Sequence, residues 1–184
     1  MGTRGTKRLN KYSTVSIDCE KMLFTSVDSL LAIAQHNNLY KGDELEIEEL
    51  IGLISDIEIQ YLPLDSSISG LLKRENDKWL IVVNLLHHKH RQKFTLGHEL
   101  AHYVLHKNDS DNFTDTTFFR GLTNDNIERS ANDFASKLLM PETSVRRLID
   151  EQNVRSIEVL SEKFGVSAAA MLYRVKQLGY NTKE

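Results

Sequence analysis

The chain has one cysteine, Cys19, and only two prolines in 184 residues. A lone thiol cannot close an intrachain disulfide or build a thiolate-rich metal cluster, so any metal site must draw on His and carboxylate ligands. With nine glycines, no periodic Gly-X-Y pattern and no low-complexity tract, collagen-like and repeat architectures are excluded. No apolar run approaches the ~18 residues that span a bilayer. The longest, around 79–83, is the size of a strand. The first thirty residues lack an apolar h-region, so a reducing cytoplasm is the expected setting. A large excess of either charge is missing too. The 26 acidic and 23 basic side chains leave −3, which gives no electrostatic footprint for nucleic acid over the whole chain.

What is present is ordinary globular material: 40% hydrophobic and 27% charged residues, enough to fill one core. Residues 1–20 are polar and aperiodic and are expected to form a flexible basic tail. Met1, Gly2 and Thr6 fit the loose N-myristoylation pattern, with Lys7, Arg8 and Lys11 as a basic second signal. So few constrained positions carry little weight, and the segment is read as a solvated tail.

From Ser26 the apolar residues Val27, Leu30, Leu31 and Ala34 recur at helical spacing, with Ser26 as N-cap. A second helical stretch carries Leu45, Ile47, Leu50, Ile51 and Ile54. The period then changes from 3.6 to 2. Ile57, Ile59 and Tyr61 alternate with polar residues, and segments 68–74 and 79–85 read as two strands joined by a turn at Glu75-Asn76-Asp77. The expectation is an α+β fold with a small antiparallel sheet of about three strands. A helix over 91–106 follows, then a polar loop at 108–124, then a helix over 126–140 that Pro141 should end. Residues 156–180 read helix, turn, helix, with Gly165 closing one helix and Ser167 capping the next. The expected division is a tail at 1–20, a core at 21–150 and a helix-turn-helix-like segment at 151–184 packed on that core.

The chemistry sits in Gly97-His98-Glu99-Leu100-Ala101-His102. On a helix, residues four apart share a face, so the imidazoles of His98 and His102 can converge on one Zn2+. Glu99 lies one residue round, where its carboxylate can serve a water at the metal as general base. Seven histidines in 184 residues would produce this spacing with an intervening Glu by chance about 0.02 times. The neighbouring residues are Gly, Leu, Ala, Tyr and Val, which leave no broad polar face. A buried imidazole or carboxylate is costly without a partner, and a metal supplies one.

A third ligand is required. His106 is excluded because it lies about 12 Å along the axis from His98. The extended motif with a third His also fails, since position 108 is Asn. His87, His88 and His90 fall in a basic stretch and are read as solvated. Glu128 continues the inward stripe of Ala131, Phe134, Ala135, Leu138 and Leu139 on the next helix, as a ligand would. A first-turn Glu favoured by the helix dipole would occupy the same position. Tyr173 and Arg174 on the last helix are candidate oxyanion donors, although a Tyr on an amphipathic helix is expected in the core.

Several stretches together resemble the ImmA/IrrE family of metallo-endopeptidases: Ser69-Gly70-Leu71-Leu72, Ile81-Val82-Val83-Asn84, 91–106 and 128–141. The likeness spans roughly 45–180. It implies a zincin-like core and a gluzincin-type site: Zn2+ on His98, His102 and Glu128, with Glu99 as base. The family often has E-x-E-A-N where this chain has Ser130 as the middle residue. Asn132 falls where related zincins place a partner that steadies a ligand histidine. Family members cleave a helix-turn-helix repressor of a phage or mobile element, so the implied partner is a transcriptional repressor, here a separate protein. The rivals are a DNA-binding regulator using 156–180, and a zinc-bearing subunit of a toxin–antitoxin-like pair with silent proteolysis. Direct DNA binding is not expected, because the N-terminal positions of the second helix are Ala168, Ala169 and Ala170. The intact Glu99 favours a peptidase.

Overall fold

Ser26 opens the first helix as its type and position predict. Its hydroxyl accepts from the Ser29 amide at 3.2 Å, while the Ser26 amide donates to Ser29 Oγ at 3.1 Å, a reciprocal cap of helix α1 (Val27–His36). The computed structural model describes residues 24–116 and 125–182. The expected tail at 1–20 and part of the expected loop, 117–124, lie outside the described residues.

After α1 come a two-stranded ribbon, β1 (Tyr40–Lys41) and β2 (Glu44–Leu45), and helix α2 (Ile47–Gly52). The main sheet is built from β3 (Ile57–Leu62), β4 (Ile68–Glu75), β5 (Lys78–Asn84) and β6 (Asn112–Thr116), in the order β3-β5-β4-β6. β4 and β5 form the expected hairpin, with Glu75 opposite Lys78. Asn76 and Asp77 both take positive φ, 49° and 66°, as a two-residue turn matched to strand twist requires.

The chain is α+β, as expected, but the sheet is four-stranded and mixed where about three antiparallel strands were expected. The edge strand β3 runs parallel to β5, with Ile59 opposite Ile81. A fourth strand, β6, comes from the segment read as polar loop and pairs antiparallel with β4, with Phe113 opposite Leu72.

Helix α3 (Lys89–His106) lies across the β4–β5 hairpin, and α4 (Asp125–Leu139) packs along α3. Leu72, Ile81 and Val83 of the sheet share one buried cluster with Leu96 and Leu100 of α3 and with Ala131, Leu138 and Leu139 of α4. The two helices approach closely at Gly97. A Cβ there would lie 3.3 Å from Leu139 Cδ1 and 3.4 Å from Ala135 Cβ. Tyr103 anchors the far half of α3, its hydroxyl donating to the Asp56 carboxylate at 2.8–2.9 Å.

The C-terminal part continues through α5 (Glu142–Arg146), a π-helical turn (Arg147–Glu151), α6 (Ile157–Phe164) and α7 (Ala168–Gln177). Gly165 ends α6 with φ 62°, and the hydroxyl of Ser167 caps α7 by accepting from the Ala170 amide, the helix-turn-helix geometry read from the sequence. α7 rests against α4. Arg174 Nε donates to the carbonyl of Met140 at 2.9 Å, satisfying an end-of-helix acceptor that would otherwise be orphaned. Among the described residues no helix is long and apolar enough to cross a membrane.

Candidate metal centre

The start of α3 is fixed to the sheet by two buried amides. Asn84, fully buried at the end of β5, accepts from the amides of Leu64 and Leu86. It also donates to the carbonyls of Asp65 and Ile68. Gln92, on the first turns of α3, donates to the carbonyls of Asn84, Leu85 and His87 at 2.9–3.2 Å. His88 caps the helix, its Nδ1 accepting from the His90 amide. The segment expected to be solvated is thus partly used for structure: His88 is exposed, but His87 is half-buried with Nε2 3.2 Å from the Ser66 carbonyl oxygen.

With α3 placed this way, His98 and His102 are 2% and 1% exposed. Their Nε2 atoms lie 3.0 Å apart. Glu128, from the first turns of α4, brings Oε2 to 3.2 Å from His98 Nε2 and Oε1 to 3.5 Å from His102 Nε2. All three donor groups fall within 4.8 Å of one another, and among the described residues they are the one such group of His, Cys, Asp and Glu. Two Zn–N bonds at a tetrahedral angle would hold their nitrogens about 3.3 Å apart. The two imidazoles and the carboxylate therefore fit a small divalent ion, with nitrogen and oxygen donors suited to zinc.

Electrostatics favour the ligand forms. Burial and the neighbouring His98 push the His102 pKa down to about 3, so its ring is neutral at pH 7 and offers a lone pair. Burial pushes the Glu128 carboxyl up. The hydrogen bond to His98, with the electrostatic influence of the neighbouring imidazoles, outweighs it and holds the group below its usual range.

Glu99 is fully buried, next to His98 in the chain and against β4. The contact is possible because residue 70 is glycine. A Cβ on Gly70 would sit 2.4 Å from Thr95 Cγ2, 2.8 Å from the Val82 carbonyl oxygen and 3.2 Å from Glu99 Oε1. Gly70→Ala should therefore push α3 off the hairpin. The expected cost is about 1–3 kcal/mol by overpacking, read as a lower urea midpoint. An unchanged midpoint would show that Thr95 and the strand relax freely.

The other expectations divide. His106 ends α3 outside the donor group, with Nε2 2.9 Å from Ser130 Oγ. Asn132 is exposed, so the expectation that it steadies a ligand histidine finds no support in its placement. Glu128 already lies at the rim of the buried face, its side chain 34% exposed. Four residues advance a helix about 40° past a full turn, which carries Asn132 outward. Tyr173, expected in the core, is 52% exposed, whereas Arg174 is 5% exposed and spent on Met140. Sequence reasoning missed Phe113, whose ring stacks on His102 with centroids 4.7 Å apart and planes 15° apart. An aromatic between Asn112 and Thr114, in a run rich in turn-forming residues, gave no period to find it by.

An H-E-x-x-H helix on a small sheet, faced by a carboxylate from the next helix, is the architecture of a metallopeptidase. Residues 54–176 match the family model for the IrrE N-terminal-like domain, a peptidase family, and the chain belongs to that family. It is also similar to "Metallopeptidase ImmA" of Bacillus subtilis (strain 168), 26% identical over 167 residues covering 90% of each chain.

Proposed function

We propose that the chain is a zinc-dependent endopeptidase that cleaves a separate regulatory protein, such as a helix-turn-helix transcriptional repressor of a phage or mobile element. What carries this reading is the convergence of His98, His102 and Glu128 on one point in a chain of a peptidase family. In it these three residues hold the ion and Glu99 is the general base. When bound, the metal supplies Lewis acidity, lowering the pKa of a water and polarising the scissile carbonyl.

Glu99 takes the proton of the attacking water and delivers it to the departing amine, so both nitrogen and carboxyl products leave in stable protonation states. Burial of Glu99 keeps bulk water from competing for that proton. The reading places the protein in the cytoplasm, with a protein substrate, no membrane and no direct DNA contact. It is supported on the last point by α7, where Arg174 is turned inward and the N-terminal residues are alanines.

Two measurements test it. Protein purified without chelators should carry one zinc per chain by elemental analysis, and preparations without stoichiometric metal would sink the reading. Co-expression with helix-turn-helix regulators encoded beside it, followed by mass spectrometry, should reveal one defined cut in one of them. Intact regulators throughout would remove the repressor as substrate class.

A further inference from the structure

A ligand imidazole usually gives its second ring nitrogen to a carboxylate, a carbonyl or a water, and that bond fixes the ring. His102 is 1% exposed, yet its Nδ1 has no hydrogen-bond partner among the described residues. The Phe113 ring lies parallel to the His102 ring, 15° between planes and 4.7 Å between centroids, the offset arrangement aromatic pairs favour. On another side the His98 ring meets it edge-on, at 79° and 4.7 Å.

We propose that Phe113 is the positioning residue of His102, its stacked ring holding the imidazole where no described residue bonds Nδ1. A turn of the imidazole about its Cβ–Cγ bond would drive its edge into the flat face of Phe113. With the ring so blocked, Nε2 stays aimed at His98 and Glu128.

The sheet delivers this contact. β6 pairs with β4 so that Phe113 lies opposite Leu72. Directly paired residues project to the same face of an antiparallel sheet. Leu72 is fully buried in the core cluster that includes α3, so Phe113 is presented to the helix carrying the ligands. One edge strand is thereby part of the metal centre without donating an atom to it.

The proposal rests on the metal-binding reading above, and the test keeps the two apart. The full chain, Phe113→Leu and Phe113→Tyr are compared for zinc affinity by competition with a coloured chelator. The visible absorption of bound Co2+ then reports ligand geometry. A residue that only fills space is replaced well by Leu; a residue that orients by its ring is replaced well by Tyr.

Phe113→Leu is expected to bind zinc about 10–100-fold more weakly, the usual cost of losing an outer partner of a ligand, with a changed Co2+ spectrum. Phe113→Tyr should stay close to the parent in both. Parent-like affinity and spectrum in Phe113→Leu would overturn the proposal, as would equal losses in both variants. Metal-free melts establish that each variant folds, and Phe113→Met replaces Phe113→Leu if the latter does not. If the parent takes up neither zinc nor Co2+, the metal reading itself fails; a metal-binding parent with an indifferent Phe113 removes only this proposal.

Discussion

Glu99→Gln is expected to abolish peptide cleavage while leaving the metal in place. The amide has nearly the same shape as the carboxylate but cannot accept a proton from water. A positioned acid–base group contributes about 10²–10⁴-fold to rate, so kcat/KM should fall by at least about 100-fold. His98, His102 and Glu128 are untouched, and the three donor groups still meet within 4.8 Å. The variant should therefore keep one zinc per chain and a melting temperature that drops when a chelator is added. Cleavage at parental rate by the variant would remove Glu99 from the chemistry. Loss of metal along with activity would make it a structural support of the site.

Glu128→Gln should give the opposite pattern. It replaces an anionic donor, 3.2 Å from His98 Nε2 and 3.5 Å from His102 Nε2, with a neutral amide. Metal affinity should fall, and with it the stability that binding adds to the folded state. At metal concentrations well above the dissociation constant, each tenfold loss of affinity lowers that contribution by about 1.4 kcal/mol. The chelator-induced drop in melting temperature should shrink or vanish, with activity lost in parallel. If the variant holds zinc as the parent does, Glu128 is a first-turn acid that favours the helix dipole and the third ligand lies elsewhere.

The placement of these two carboxylates was legible in the sequence because helices make spacing into geometry. His98 and His102 at i and i+4 must share a face, and Glu128 extends a stripe that runs through Ala131 and Ala135 to Leu138. The caps were legible for the same local reason, from Ser26 to Gly165 and Ser167.

What depended on distant partners was not. Alternation at Ile57, Ile59 and Tyr61 announces a strand but says nothing of its direction, and the parallel pairing with β5 is decided by how the chain crosses at 63–67. β6 is polar apart from Phe113 and owes its conformation to the free edge of β4. Tyr173, expected in the core, is exposed because the buried face of α7 runs through Met171, Arg174 and Val175. At that position a guanidinium that satisfies the Met140 carbonyl serves better than a phenol.

The triple grip of Gln92 gives the two walls of the site unequal mechanical standing. One side chain holds the carbonyls of Asn84, Leu85 and His87, and Asn84 in turn holds four backbone groups of the adjoining loops. For the start of α3 to swing away, the Gln92 bonds must break, while the Asn84 bonds hold the loops that carry their acceptors. The opposite wall consists of the half-exposed first turns of α4 and an edge strand bonded on one side. Local opening free energies follow such differences in buried bonding. Local opening of the centre should accordingly come more readily on the side of Glu128 and Phe113 than at the Gln92-anchored start of the histidine helix.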